Sequence, residues 1–431
     1  MSTQLDRISQ KAKQDQKLRF TSLAHLIRPE YLKEVWGQMN RKAASGVDQE
    51  GAKEFEENLD ARVKDLCDRV QEGRYVAPPV RRVYIPKPGR QEKRPLGIPT
   101  TEDRLLQRAV AQILDAVFEA NFLECSWGYR KGRGPHKALG ALRLHVVKYG
   151  KVQHIFEADI RGYFNHINHA WLRRMVAQRI ADPIILGLVG KWLNAGVMEN
   201  GVVLRTQEGS PQGGPISPIL ANVYLHYVLD LWFERVVKKH WKGQAYLTRF
   251  VDDFVVCFQY KWDAQDFHRR LRMRLEKFGL ELKAEKTRIL QFGRFARENL
   301  AQYGKKPEAF DFLGFKHVCG IGQNGKFCLV RLPSTKSCRK FLDQTHAWLA
   351  AHTHCSRRDH QKQLRVMLQG FYRYFALHHC LPKLLWIRRE VQRQWRCALR
   401  RQGQRAKDGW EYLASRRWFE LPFADLLNPM V

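Results

Sequence analysis

Leu23, Leu26, Ile27, Tyr31 and Leu32 recur at helical spacing, and residues 1–75 read as mainly helical, broken at Ser45-Gly46-Val47-Asp48. The pattern then changes. Arg81-Arg82-Val83-Tyr84-Ile85-Pro86-Lys87 reads as a strand, Pro88-Gly89 as a turn, and a second strand runs through Leu96-Gly97-Ile98. Thr100 is placed to cap a helix with Asp103 three residues on, and Leu105, Leu106, Val110, Ile113, Leu114 and Val117 form its apolar stripe. Residues 136–330 alternate strand and helix patterns: a short strand His154–Ile160 carrying Asp159 at its end, an apolar helix Ile219–Leu225, and a strand-like run Arg249–Phe258. Asn324-Gly325 is a two-residue hairpin signal. Beyond 331 the chain becomes basic and helical, with Phe371, Tyr374 and Phe375 spaced to pack a helical core.

Three carboxylates sit where an apolar pattern should exclude them. Asp252 and Asp253 are adjacent among Phe and Val, and Asp159 closes its strand. A buried carboxylate costs several kcal/mol, roughly, and a like charge beside it costs more, so such a pair calls for a compensating cation. Hard oxygen donors suit Mg²⁺, and two such ions are an engine of phosphoryl transfer. Taken alone, Asp252-Asp253 also fits a solvated turn between strands. Glu157 shares the face of Asp159 by alternation and is its rival; Asp159, at the strand's end near Gly162, is preferred. Between the acids lies Gly209-Ser210-Pro211-Gln212-Gly213-Gly214-Pro215, a rigid loop with close backbone access, able to press Gln212 and Gly213 against a substrate.

Charge narrows the partner. The 431 residues carry 75 Lys+Arg against 43 Asp+Glu, a net of +32, which predicts a polyanion. An anionic membrane is the rival, but no apolar run approaches the ~20 residues that span a bilayer, and the polar N-terminus has no signal-peptide core. Nine scattered cysteines form no C-x-x-C pair, which points to a cytoplasmic chain without a disulfide framework. His352-Thr353-His354-Cys355 lacks a second pair at zinc-finger spacing and reads as a polar loop. Between 331 and 420 there are 20 Lys/Arg and 6 Asp/Glu, interleaved with Trp348, Tyr372, Trp386, Trp395, Trp410 and Trp418. Basic helices with exposed rings suit structured RNA. Arg393, Arg396 and Arg400 share one helix face and are the candidate RNA contacts.

Taken in order, Asp159 with Phe164, Ser210-Pro211-Gln212-Gly213-Gly214-Pro215, Phe250-Val251-Asp252-Asp253 and Phe312-Leu313-Gly314-Phe315 resemble the successive blocks of a reverse transcriptase. Leu26-Ile27-Arg28-Pro29-Glu30, Ala44-Ser45-Gly46-Val47-Asp48, Ile85-Pro86-Lys87-Pro88 and Arg94-Pro95-Leu96-Gly97-Ile98-Pro99-Thr100 sharpen the likeness to bacterial group II intron-encoded reverse transcriptase/maturases, over nearly the whole chain.

The resemblance implies an α/β right-hand polymerase with fingers, an antiparallel palm sheet and a helical thumb. Its expected divisions are an N-terminal extension over 1–75, fingers and palm over 76–330, and a basic thumb and maturase (X) region over 331–431. It implies RNA-directed DNA synthesis with two Mg²⁺ ions, Mn²⁺ being a possible substitute. Asp159 and Asp252 would be the bridging ligands, Asp253 a supporting one, and the Ile160 carbonyl a further donor. Lys87, Arg94 and Arg104 would clamp the triphosphate, although they also fit a solvated charged face. Phe164 would lie beneath the sugar and exclude a 2′-hydroxyl, with Tyr163 the rival by one position. RNA template, DNA primer, dNTPs and the parent intron RNA are the implied partners. Phe250-Val251 stands where the family usually has Tyr-Ala. A domesticated relative in phage defence or DNA repair, and an RNA-binding splicing cofactor with a silent polymerase site, are the alternative readings.

Overall fold

In this computed structural model the described residues are 2–86, 93–149, 151–199, 201–204, 208–209, 213–401, 415–416 and 419–425. Two compact units divide the chain: residues 1–134, 158–256 and 262–288, and residues 135–157, 257–261 and 289–431. The strands among the described residues are β1 (Val80–Pro86), β2 (Lys93–Ile98), β3 (His154–Asp159), β4 (Val197–Glu199), β5 (Val202–Leu204), β6 (Ala245–Phe250), β7 (Asp253–Phe258), β8 (Arg288–Gln291), β9 (Phe310–Phe312), β10 (Phe315–Ile321) and β11 (Phe327–Pro333).

The N-terminal segment is helical over Ser2–Gln14, Pro29–Gly37, Ala52–Glu57 and Leu59–Gln71. Its apolar stripe is not one helix. Ala24–Leu26 is a single 3₁₀ turn, Arg28 is extended at φ −120° and ψ 158°, and a new helix begins at Pro29. Proline disfavours a helical residue before it but is at ease at the first helical position. All five stripe residues are nonetheless buried. Gly46 breaks the helical pattern for a packing reason: a Cβ there would lie 2.6 Å from Thr100 Cα.

β1 and β2 pair antiparallel, Arg81 opposite Ile98 through Pro86 opposite Lys93. β4 adds to β1 in parallel and β5 closes the order β2-β1-β4-β5. Helix Thr101–Phe118 starts where expected, Asp103 N–H donating to Thr100 Oγ1 at 3.2 Å, and its stripe is buried. The loop 87–92 lies outside the described residues.

A second sheet has the order β6-β7-β3-β8. Gln153 N–H donates to the Phe258 carbonyl, joining the start of β3 to the end of β7, so those strands run antiparallel. Helix Ser217–Leu225 is buried on almost every face and continues as a π-turn, His226–Asp230. Such turns recur at functional sites.

The remaining sheet, β11-β10-β9, turns between β9 and β10 at Leu313 (φ 50°) and Gly314 (φ 78°). The β10–β11 pairing ends at Ile321 opposite Phe327, which leaves a five-residue loop instead of the two-residue turn expected at Asn324-Gly325. Asn324 Oδ1 accepts from Lys326 N–H and Gly322 N–H donates to the Lys326 carbonyl, so the loop closes on itself. Helices Thr335–Ala351, Arg357–Phe375 and Leu381–Arg401 follow. Two of the rings offered as RNA platforms are core: Tyr372 and Trp395 are buried, and Trp395 Nε1 donates to His360 Nδ1 at 3.2 Å. Trp386 is exposed, with Lys383 Nζ 3.9 Å from its ring centroid. Trp410 and Trp418 lie outside the described residues. His352 directs Nδ1 to the Trp348 carbonyl and stacks on that ring, which uses its imidazole structurally.

Candidate active site

Asp252 is the second residue of the Val251-Asp252 turn joining β6 to β7, and Asp253 opens β7. The pair is thus both the turn that its composition allows and the end of a buried strand, since Phe254 through Phe258 are buried. Because β3 and β7 run antiparallel, the end of β3 that carries Asp159 lies at the start of β7, beside the turn that carries Asp252 and Asp253. All three acids are half-buried.

The turn is held by a buried cation. Arg249, with no exposed side-chain surface, donates from Nε and a terminal nitrogen to both oxygens of Asp230, at 2.7 and 2.6 Å. Its other terminal nitrogen reaches the Val251 carbonyl at 2.9 Å and Asn222 Oδ1 at 3.2 Å. Ser126 Oγ accepts a further bond. Burial would lower the Arg249 pKa, but Asp230 raises it, so the guanidinium stays charged. Val251 takes φ 60°, a left-handed conformation costly for a β-branched residue. Gly128 leaves it room: a Cβ there would fall 2.6 Å from Val251 Cγ2. Nothing in the sequence marks Asp230, Asn222 or Ser126 as the partners of Arg249.

At β3, Lys283 Nζ donates to Asp159 Oδ2 at 2.9 Å and Lys286 Nζ donates to the same oxygen. Burial would raise the Asp159 carboxyl, but the hydrogen bonds and charge of Lys286 and Lys283 hold it below the usual carboxylate range. Nothing in the sequence singles out these two lysines. Lys283 N–H bonds the Asp159 carbonyl and Arg161 N–H the Glu281 carbonyl, flanking the Ile160–Leu282 bridge. In that pattern the N–H and C=O of Ile160 face away from Leu282, toward the β7 side. Glu157, the rival of Asp159, instead accepts from Asp311 N–H at 3.3 Å.

Gly162 at φ 51° turns the chain into the 3₁₀ turn Tyr163–Asn165. Tyr163 is buried and its hydroxyl donates to the Ala221 carbonyl at 2.6 Å; Phe164 is half-buried. The glycine loop is docked at both ends. Gly209 N–H bonds the Ile167 carbonyl, and His169 Nε2 donates to the Gly209 carbonyl at 2.6 Å. Gly213 at φ 130° lies against β2, where a Cβ would meet the Gly97 carbonyl at 2.5 Å; one on Gly214 would meet Gln107 Oε1 at 2.4 Å. Ser210–Gln212 lie outside the described residues, as does Lys87. Arg94 pairs with Ile85 through the backbone, and its side chain is likewise outside them. Arg104 donates to the Ala44 and Pro99 carbonyls, so its guanidinium holds the loop before Ser45; burial lowers its pKa.

The donor set is hard oxygen, which suits Mg²⁺ and excludes soft-metal preference. Among the described residues no three His, Cys, Asp or Glu side chains already converge to hold one ion. Asp159 is a carboxylate that already draws two ammonium groups, Lys283 and Lys286, which a metal ion bound there would have to displace.

A carboxylate-bearing strand beside an Asp-Asp hairpin, joined through a glycine loop to a second sheet, defines a right-hand nucleic-acid polymerase. Comparison with known proteins agrees: the family profile described as reverse transcriptase (RNA-dependent DNA polymerase) matches residues 85–317, and the chain belongs to that family. It is 37% identical over 235 residues to the group II intron-encoded protein LtrA of Lactococcus lactis subsp. cremoris, covering 53% of this chain and 38% of that one. It is 32% identical over 308 residues to the protein YkfC of Escherichia coli, covering 64% of this chain and 81% of that one. A putative COX1/OXI3 intron 1 protein of Saccharomyces cerevisiae is 31% identical over 181 residues, covering 42% and 21%. The chain thus spans well under half of LtrA's length.

Proposed function

We propose that this chain is an RNA-directed DNA polymerase that also binds structured group II intron RNA and assists its splicing and mobility. The observation that carries the polymerase reading is the antiparallel run of β3 beside β7, which brings the Asp159 end of β3 to the Asp252-Asp253 turn, in a chain of the reverse transcriptase family. Residues 1–75 act as the N-terminal extension, 76–330 as fingers and palm, and 331–431 as thumb and maturase region. The enzyme works in the cytoplasm on an RNA template and DNA primer. The intron role rests on the relatives named as intron-encoded proteins and on the basic C-terminal helices.

Asp159 and Asp252 would hold two Mg²⁺ ions, with Mn²⁺ as substitute, and Asp253 and the Ile160 carbonyl would support them. When bound, such ions lower the pKa of the primer 3′-hydroxyl and offset charge on the departing pyrophosphate. Lys283 and Lys286 keep Asp159 ionised until then. Arg249 fixes the carbonyl of Val251 and so the height of Asp252 above the sheet. Gly213 holds the loop against β2 so that Gln212 positions template or nucleotide, and Lys87, Arg94 and Arg104 clamp the triphosphate. Phe164 supports the sugar.

Asp252→Asn tests the reading. Extension of oligo(dT) on poly(rA) should fall by at least about a hundredfold, since preorganised charge stabilisation of this kind contributes on that scale. RNA retention on filters should stay near wild type. Extension at the wild-type rate would remove Asp252 from the mechanism.

A further inference from the structure

Helix Ala296–Ala301, the segment after it and the far end of the β10–β11 hairpin enclose a groove of about 820 Å³. Five cations line it, Arg294, Arg297, Lys305, Lys306 and Lys326, against one acid, Glu298. All five are exposed, and none has an ion pair or a side-chain hydrogen bond among the described residues. The contrast with a larger basic groove of about 1340 Å³ is informative. There Arg74 pairs with Glu72, Lys191 Nζ donates to the Gly73 and Tyr75 carbonyls, and Arg173 lies against the Gly190 carbonyl. Those cations serve the fold, whereas the five around the smaller groove do not. Clustering them costs repulsion that Glu298 alone among the described lining residues can offset.

We propose that this groove is a second nucleic-acid site, taking the phosphodiester backbone of a single strand. Cations brought to one groove from the helix and its flanks and from Lys326 of the hairpin loop can follow a backbone in a way that a flat charged face cannot. Tyr303 lies in the chain between Ala301 and Lys305 of the wall and is 69% exposed. An exposed phenol beside a cationic groove provides a platform on which a base stacks. The site is distinct from the turn at Leu313-Gly314: β10 starts just after that turn and runs seven residues to Ile321. At about 3.4 Å per residue the groove end lies roughly 20 Å away. It is also separate from Arg393, Arg396 and Arg400 on the last helix.

The test uses the full chain with Arg294, Arg297, Lys305 and Lys306 changed to Gln, and a second variant, Tyr303→Ala. Fluorescein-labelled oligoadenylate and its DNA counterpart are titrated over a salt series. The quadruple variant should bind more weakly, its slope of log K against log salt shallower by about 0.7 for each phosphate no longer neutralised. Tyr303→Ala should bind about tenfold more weakly with the slope unchanged. Weaker binding in both arms identifies recognition of the backbone; weaker binding in the RNA arm alone identifies RNA as the strand. Extension of a short pre-annealed primer-template should stay at the wild-type rate in both variants, so the groove is read separately from the polymerase assignment. Wild-type affinity and slope in both arms would make the five cations a solvated face and overturn the proposal. So would equal displacement of either oligonucleotide by polyglutamate at matched charge, and full affinity in Tyr303→Ala would remove the stacking platform and with it the single-strand assignment.

Discussion

Phe164 and Tyr163 are neighbours with opposite fates. The Tyr163 ring is buried and its hydroxyl is committed to the Ala221 carbonyl, so its removal would leave that acceptor unpaired in the core. Phe164 is half-buried at the same turn, its centroid 5.3 Å from the Tyr163 ring. Phe164→Val should therefore raise ribonucleotide incorporation relative to dNTPs by about tenfold or more, the effect of removing a steric barrier of roughly 1–3 kcal/mol. Single-nucleotide extension with each triphosphate measures the ratio; a wild-type ratio would show that this ring is not the gate. Sequence periodicity could not separate the two, because aromatic neighbours one position apart differ only in which way the turn faces them. The acids were legible for the converse reason: carboxylates among Phe and Val are costly enough to stand out. Lys283 and Lys286 were not, because cations are ordinary in a chain of net charge +32.

The β6–β7 hairpin shows how an element is fixed by residues far from it in sequence. Arg249 reaches Asp230, Asn222, Ser126 and the Val251 carbonyl from a position without solvent contact. Arg249→Met should destabilise the protein by roughly 3–5 kcal/mol, because Asp230 is left as a buried, uncompensated charge. Urea unfolding of the variant measures this, and Arg249→Met with Asp230→Leu should recover part of the loss. If the single variant unfolded at the wild-type midpoint, the pair would not be what secures the turn. Primer extension should remain impaired in the double variant even where stability returns, since Val251 at φ 60° has lost its tie. The β1–β2 pair, β3 and the Thr100 helix cap were readable from local pattern. The five-residue loop of the β10–β11 hairpin and the break before Pro29 were not, because closing contacts and proline sterics override a local turn or helix signal.

On the scale of the molecule, charge is the property most directly tied to partner, yet its distribution matters more than its total. The division into units could not be seen in composition, because residues 135–157 and 257–261 group with 289–431 through long-range contacts that the sequence does not display. Nor could the core role of Tyr372 and Trp395, whose interleaving with Arg and Lys imitates a stacking surface. What remains for RNA on the last helix is cationic: Arg393 and Arg400 are exposed and Arg396 half-buried. Arg393 is also bonded to Glu390 through Nε at 2.6 Å, so part of its charge is already answered within the helix. Replacing all three with Gln should therefore reduce the slope of log K against log salt for structured RNA by about 1.4 to 2, short of the full value for three independent phosphate contacts. Arg393→Gln alone should contribute least, and Glu390→Gln should strengthen binding by releasing Arg393. Filter binding across a salt series measures each variant. A triple variant with wild-type affinity and slope would assign this face to solvent and withdraw its part in RNA binding, leaving the polymerase site, which none of these residues touches, unaffected.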